Sequence, residues 1–349
     1  MQRRKTRFWS VPGVVLWFLA VCALSLPVGE GCALAKEPET EDVYQKLKKQ
    51  EPVRIACLGD SIAEGAGMAP GEGFVPQLGQ WLQETYKSPV GVDSYAAGGS
   101  TAFFGYYRCK SDMQENVERY GAYDLVLICY GQNDLPDNFS LIYEALLRAV
   151  RQQNPDCQII CLLEHSQRDY TDKMEVVKAL GAYYGADIAD TIEAYRQSPY
   201  SYEQLCQDSV HPNILGHRIY RETIGRIIEQ NVKKGKKRQE MPPPVNADVG
   251  GFENFTYLSL SKCRPQGKVY TIEPGRPTVG IFIKRAPESR DVHIRLSNGT
   301  TWDFRPAVEN VTVPFAELIG IRLPPGTKIT LDNSSGEIQN TVYGFVLAG

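Results

Sequence analysis

Leu125-Val126-Leu127-Ile128-Cys129-Tyr130, running into Gly131-Gln132-Asn133-Asp134, is the stretch that decides how this chain folds. Six apolar or aromatic residues in a row, with no polar alternation, describe a strand buried on both faces, as in a parallel sheet covered by helices. The same texture recurs on either side. Val53–Leu58 is a short apolar run ending in Gly59, and Val90–Tyr95 is a second. Gln158–Leu163 follows on the C-terminal side, and Ile188 marks a short fifth strand. Between them, apolar residues return at helical intervals over Phe74–Tyr86, Leu141–Val150 and Met174–Tyr184, and Ile214–Ile228 closes the series. Residues 52–232 are therefore expected to form a doubly wound α/β domain with a parallel sheet.

Beyond this region the composition shifts. Residues 233–248 carry a short basic run (Lys233, Lys234, Lys236, Lys237, Arg238) and Pro242-Pro243-Pro244, which reads as a helix end running into a linker. Residues 249–349 lack a helical pattern. Short runs such as Lys268–Ile272, Val279–Ile283, Val292–Leu296, Lys328–Leu331 and Val342–Leu347 are separated by Gly, Pro and Asn turns, predicting an all-β sandwich. At the other end, Arg3, Arg4, Lys5 and Arg7 precede an apolar stretch from Val11 to Val28 and an Ala33-Leu34-Ala35 cleavage pattern. Residues 1–35 thus read as a secretory signal peptide, with an uncleaved membrane anchor as the alternative. Residues 36–51 are charged and read as a tether. The expected location is the cell envelope or the exterior.

The 349 residues, 42% hydrophobic and 23% charged, suffice for two packed domains, and a net charge of −3 gives no broad field for nucleic acid. Nine cysteines show no CxxC pair or zinc-like cluster, so no metal is expected. Cys57, Cys129 and Cys161 fall in apolar runs, where a thiol acts as a small hydrophobe. Export permits a disulfide, but the spacing names none.

Four segments of the α/β region carry chemistry. Gly59-Asp60-Ser61 ends the first strand, where open α/β sheets place their sites. Ala97-Gly98-Gly99-Ser100-Thr101 follows the second, and its glycines let backbone N–H groups approach a reacting oxygen. Gly131-Gln132-Asn133-Asp134 offers a side-chain amide as an oxyanion donor. Asp208-Ser209-Val210-His211-Pro212-Asn213 precedes the closing helix, and a carboxylate three residues before a His can meet its Nδ1 and leave Nε2 for a serine. Each segment alone is commonplace; four at successive loop positions point to an acyl-transfer site.

In these segments the chain resembles the GDSL/SGNH hydrolases over residues 53–231. Gly59-Asp60-Ser61-Ile62 is similar to the family's first block, with Ile where Leu is usual. Gly131-Gln132-Asn133-Asp134 is similar to the third block, and Asp208 to Asn213 to the last. The second block departs: aligning Gly99 with its last glycine puts Ser94 and Ala96 where the family has Asn and Gly. The resemblance implies a flavodoxin-like α/β/α fold and a Ser61, His211, Asp208 triad. It also implies an oxyanion hole from the Ser61 and Gly99 N–H groups, with Gly98 as fallback, and the Asn133 side chain. Ester hydrolysis through an acyl-enzyme would need no cofactor.

Several residues have competing readings. Ser100, in Gly98-Gly99-Ser100-Thr101-Ala102, nearly matches a nucleophile elbow, although that choice leaves Gly59-Asp60-Ser61 without a role. His165 and Arg168 follow the fourth strand and would line the cleft or form an ordinary loop; His217 reads as a surface or packing residue. Phe103, Phe104, Tyr106 and Tyr107 suit either an acyl or sugar pocket or plain core. Exposure of Tyr257, Trp302 or Tyr343 would favour polysaccharide contact by the β region. The expected activity is an exported esterase acting on an O-acyl, chiefly O-acetyl, ester of a glycan. The alternatives are a lipase, lysophospholipase or thioesterase, or a non-catalytic glycan-binding surface protein.

Overall fold

From Val53 to Asp190 the chain lays down five strands: β1 (Val53–Gly59), β2 (Val90–Ser94), β3 (Leu125–Cys129), β4 (Gln158–Leu163) and β5 (Asp187–Asp190). They pair in parallel in the order β2-β1-β3-β4-β5, the flavodoxin-like arrangement. The computed structural model describes residues 41–134, 136, 138–252, 255–307, 315–334 and 336–348, and the signal-peptide reading of residues 1–35 lies outside them. Among the described residues no helix is long and apolar enough to cross a membrane.

Strand β3 shows why its sequence has no polar alternation. Leu125, Leu127 and Cys129 join one hydrophobic core, while Val126 and Ile128, with Tyr130 just beyond, join the other. The helices that flank the sheet, all but α5 with buried residues, are α1 (Val43–Lys49), α2 (Ser61–Glu64), α3 (Phe74–Tyr86), α4 (Ala102–Arg108), α5 (Gln114–Tyr120), α6 (Phe139–Gln153), α7 (Asp172–Tyr183), α8 (Thr191–Arg196), α9 (Tyr202–Leu205) and α10 (Ile214–Lys234). Phe74, Leu78 and Leu82 of α3 and Tyr220, Ile224 and Ile228 of α10 are buried on one face; Tyr143, Leu146 and Val150 of α6 and Met174 and Val177 of α7 on the other. Fully burying one such side chain stabilises by about 1.5–3 kcal/mol.

Residues 41–51, read as part of a tether, are instead docked. Asp42 and Gln45 form a reciprocal capping box, and Val43, Tyr44 and Leu47 are buried against the sheet and α10. Tyr44 Oη meets Asp187 and Asn231 at 3.3 and 2.9 Å, and Lys46 pairs with Asp124 at 2.7 Å. Three apolar residues at helical spacing were too few to stand out against the charge around them.

The linker expected over 233–248 also lies down on the α/β domain. α10 runs to Lys234 and ends at Gly235, whose φ of 63° is open to glycine at little cost. The strap then carries Lys236 to Asp187 (2.8 Å) and Arg238 to Asp156 (3.5 Å). Arg148 donates to the Pro242 carbonyl, and buried Glu144 accepts the N–H groups of Val245 and Asn246 at 2.6 and 2.8 Å. Lys236 and Arg238 of the basic run thus face acidic groups of the same chain.

The C-terminal region is all-β, as expected. It contains β6 (Phe255–Ser259), β7 (Val269–Ile272), β8 (Thr278–Arg285), β9 (Val292–Leu296), β10 (Thr301–Phe304), β11 (Phe315–Leu323), β12 (Ile329–Asp332) and β13 (Val342–Ala348). These make two antiparallel four-stranded sheets, β10-β9-β12-β7 and β11-β8-β13-β6, around a core that includes Ile281, Ile283, Ile294, Leu331 and Phe345. β6, β10 and β11 escaped the sequence reading. In the outer strand β10 polar residues alternate with aromatic ones, and no apolar run forms.

The two halves share a hydrophobic core. Phe104 and Tyr107 of α4 meet Phe282 of β8 at 5.8 and 4.4 Å, and Tyr257 of β6 packs on Tyr107 and Phe282. Tyr257 therefore faces the α/β domain. Trp302 is half-buried against the sandwich core, and Tyr343 is exposed.

Candidate active site

The parallel sheet sets its chemistry at the carboxyl ends of its strands. Gly59 closes β1, pairs with Cys129 and passes directly into Asp60 and α2. A Cβ on Gly59 would sit 2.4 Å from the Ala63 Cβ and 3.1 Å from the Cys129 carbonyl oxygen, so only glycine lets α2 turn this tightly off the strand. Asp60 caps that helix, its Oδ1 accepting the Ile62 N–H at 2.9 Å. Ser61 is left half-buried at the helix start.

Opposite it lies the loop before α10. Asn213 caps α10 by accepting from the Leu215 and Gly216 N–H groups at 3.0 and 3.2 Å, which fixes the end of the loop. Within the loop, Asp208 accepts the N–H groups of Val210 and His211, both at 2.7 Å, and its other oxygen meets His211 Nδ1 at 2.7 Å. His211 Nε2 lies 3.0 Å from Ser61 Oγ. Partial burial works to raise the pKa of Asp208, but the His211 N–H, its ring and the Val210 N–H outweigh it and hold the carboxyl at about 2. Asp208 thus stays ionised beside the imidazole, orienting Nδ1–H inward and leaving Nε2 as the acceptor for the serine proton.

On the other side of Ser61 stand the glycine loop and the loop after β3. Gly99 has a φ of 70°, in the region that favours glycine. A Cβ on Gly98 would sit 3.1 Å from Glu64 Oε2, so the Glu64 carboxyl lies close against this alternative donor. Asn133 Nδ2 donates to Asp60 Oδ2 at 3.2 Å and to the Ser100 carbonyl at 3.0 Å. Two acceptors facing one nitrogen fix which end of the amide points into the site.

The remaining sequence candidates separate here. Ser100 is buried and donates to the Gly59 carbonyl at 3.1 Å, so it ties two loops together rather than facing the cleft. His165 is buried, with Nδ1 2.7 Å from Tyr220 Oη and its ring stacked on Tyr195, and burial lowers its pKa to about 3. His217 is buried as well and accepts the Phe74 N–H through Nδ1 at 3.4 Å. Exposed Arg168 lies over the Tyr202 ring at 4.0 Å and donates to the Ser209 carbonyl, bracing the His211 loop. Phe103, Phe104 and Tyr106 are core residues.

Two acidic residues beneath the site gained no role from sequence. Glu164, at the end of β4, accepts the Gln132 N–H at 2.6 Å. Asp134 accepts the Ala102 N–H at 2.9 Å and so joins the β3 loop to the start of α4. For Glu164 the signal was a carboxylate directly after the apolar run Ile159–Leu163; Asp134 lay in a loop segment without such a signal. All seven described cysteines are free thiols, and six of them are buried. Among the described residues no group of three or more His, Cys, Asp or Glu side chains is placed to hold a metal ion.

Comparison with known proteins bears on the family and the fold. Residues 57–219 match the model of the GDSL-like Lipase/Acylhydrolase family. No curated protein matches the chain in sequence. Among solved structures, a two-domain esterase described as active on acetylated mannans, co-crystallised with mannopentaose, superposes with a TM-score of 0.70 at 16% identity, covering 88% of this chain and 94% of its own. A second structure so described, without the oligosaccharide, gives 0.66 at 16% identity over the same shares. An acetyl xylan esterase variant from Geobacillus stearothermophilus covers 51% of this chain and 98% of its own, at 20% identity and a TM-score of 0.44.

Proposed function

From the membership of its α/β domain in the GDSL-like lipase/acylhydrolase family, we propose that this ester-bond hydrolase is an exported carbohydrate acetylesterase using Ser61, His211 and Asp208. The observation that carries the reading is His211, whose two ring nitrogens lie 3.0 Å from Ser61 Oγ and 2.7 Å from Asp208 Oδ2.

His211 Nε2 takes the Ser61 proton as Oγ attacks the acetyl carbonyl carbon. The imidazolium is held by ionised Asp208. Negative charge on the carbonyl oxygen is met by the Ser61 and Gly99 N–H groups and the Asn133 amide, which yields part of its bond to the Ser100 carbonyl. The tetrahedral centre collapses, the proton passes from His211 to the leaving sugar hydroxyl, and acetyl-Ser61 remains. Water then gives a proton to His211 and attacks; acetate leaves and Ser61 regains its proton.

The glycan preference is supported by the two-domain architecture, which matches along most of its length the fold of an esterase described as active on acetylated mannans. Export is supported by the basic and apolar segment at residues 1–35 with its Ala33-Leu34-Ala35 pattern.

A fluorophosphonate probe should label the protein, with labelling lost in Ser61→Ala and kept in Ser100→Ala; the reverse would overturn the nucleophile. Turnover of p-nitrophenyl esters should be best for acetate and fall toward palmitate, with acetate released from acetylated mannan or xylan. Best turnover of long chains would transfer the protein to the lipase and thioesterase class. A mature N-terminus at Lys36 in the exported protein would establish cleavage.

A further inference from the structure

We propose that Lys173 is a positioning residue for this site: its ammonium group clasps the backbone on both sides of Gln132-Asn133 and so holds the Asn133 amide where the oxyanion forms. The catalytic consequence rests on the esterase reading above; the clasp itself does not.

Lys173 Nζ donates to the Asp134 carbonyl at 2.8 Å and also to the Gly131 carbonyl. These two carbonyls bracket Gln132 and Asn133, so one nitrogen closes the loop that follows β3. A lysine ammonium carries N–H donors and no acceptor, which suits a point where carbonyl oxygens converge. Hydrogen bonds from a charged donor are about twice as strong as neutral ones. Lys173 is half-buried, so water competes less for the two carbonyls than it would at the open surface.

The helix that carries Lys173 does not account for a cation at this position. Thr171 caps α7, and Lys173 is the second residue of its first turn. A positive charge there opposes the helix dipole, which favours the acidic Asp172 and Glu175 of the same turn. That turn lies directly against the loop: a Cβ on Gly131, whose φ is 140°, would meet Met174 Cε at 2.4 Å. The favourable partners of the Lys173 side chain are thus the loop carbonyls and not its own helix end.

Asn133 needs this support because its own contacts change during the reaction. At rest Nδ2 donates to Asp60 Oδ2 at 3.2 Å and to the Ser100 carbonyl at 3.0 Å. Negative charge on the substrate oxygen draws the amide away from the Ser100 carbonyl, so the loop backbone must hold its place at that moment. Other contacts share the task. The Gln132 N–H meets Glu164 at 2.6 Å, Gln132 Oε1 accepts from Gln167 Nε2 at 3.0 Å, and the Asp134 side chain accepts the Ala102 N–H at 2.9 Å. Of these contacts, only those of Lys173 span the loop from one end to the other.

The test compares native protein, Lys173→Met, Asn133→Ala and the double variant on p-nitrophenyl acetate, together with amide hydrogen exchange of native protein and Lys173→Met. Methionine keeps an unbranched apolar stem and removes the donors. Lys173→Met should lower kcat on the order of 100-fold, the scale of a misplaced catalytic group, with KM nearly unchanged. Once residue 133 is alanine no amide is left to place, so adding Lys173→Met should cost less than about threefold more. Losses that multiply in the double variant, or a raised KM with kcat intact, would overturn the proposal. Backbone amides of residues 131–134 should exchange faster in Lys173→Met while the rest of the α/β domain is unchanged. An unchanged loop, or exchange that rises throughout the domain, would overturn it equally. If the native protein takes no fluorophosphonate label while exchange behaves as expected, the esterase reading fails and the clasp stands.

Discussion

The Tyr107 ring, on the helix that leaves the glycine loop, meets the Phe282 ring of the sandwich edge-on at 4.4 Å. Residues Gly98 to Thr101 are therefore continuous with a helix whose far face is covered by the other domain. Phe104 and Tyr257 complete the contact.

Phe282→Ala should accordingly destabilise the whole protein and not the sandwich alone. Phe282 is 5% exposed, and truncating a buried Phe costs about 3–5 kcal/mol. Denaturant unfolding followed by tryptophan fluorescence should show a lowered midpoint. An unchanged midpoint would mean that the two halves are only loosely joined.

Asp208→Asn should leave the fold intact, because Asp208 is exposed and its loop keeps the Asn213 cap. It should nonetheless lower kcat by about 10⁴-fold, since an amide cannot hold Nδ1–H toward a stabilising anion. Single-turnover acetylation of Ser61 is the measurement, and a loss under tenfold would contradict the assigned orienter.

Asn133→Ala should reduce kcat about 100- to 1000-fold, the usual cost of losing one oxyanion donor. The variant also removes a donor to Asp60 and to the Ser100 carbonyl, so its thermal stability should be recorded alongside. A raised KM with kcat intact would place Asn133 in substrate binding instead.

His217 supplies a stability signature in acid. Burial lowers its pKa from 6.5 to about 4, and its Nδ1 accepts the Phe74 N–H, a bond that only the neutral ring makes. A base with a lowered folded pKa contributes stability that is full above pH 6.5 and lost as pH falls toward 4, because the unfolded chain takes up the proton first. Asp60 and Asp134, raised by burial, act with the opposite sign in the same window, so the effect must be read as a difference. The stability gap between native protein and His217→Asn should shrink by about 1.4 kcal/mol per pH unit below neutrality. A gap that is constant with pH would mean that His217 is protonated in the fold.

Gly59→Ala should cost about 1–3 kcal/mol as an overpacking change, because its Cβ would press on Ala63 and the Cys129 carbonyl. Activity should fall with it, since Ser61 sits two residues on. Thermal unfolding against p-nitrophenyl acetate turnover would show both.

The α/β half was largely legible because burial on both faces of a parallel strand leaves an unmistakable apolar run, as at Leu125–Cys129 and Gln158–Leu163. α1 and β10 were missed for the converse reason: one buries only three side chains and the other alternates at an edge, so neither carries a run. The aromatic residues after the glycine loop had two readings, and the choice between core and pocket depended on Phe282 and Tyr257, more than a hundred residues away.

The sequence by itself determined the strand and helix order, the sandwich texture and the four loop segments around Ser61, Gly99, Asn133 and Asp208 with His211, because periodicity and turn chemistry are local. Tertiary structure brought His211 to Ser61, the serine the motifs favoured, and tied Ser100 to the Gly59 carbonyl, because both contacts cross between segments far apart in sequence. It also decided that Asp60 and Glu164 are both fully buried beneath the site. Asp60 follows β1 and Glu164 follows β4, with β3 lying between them, and the burial of both comes from the packing of the sheet, which a linear pattern of residues does not contain.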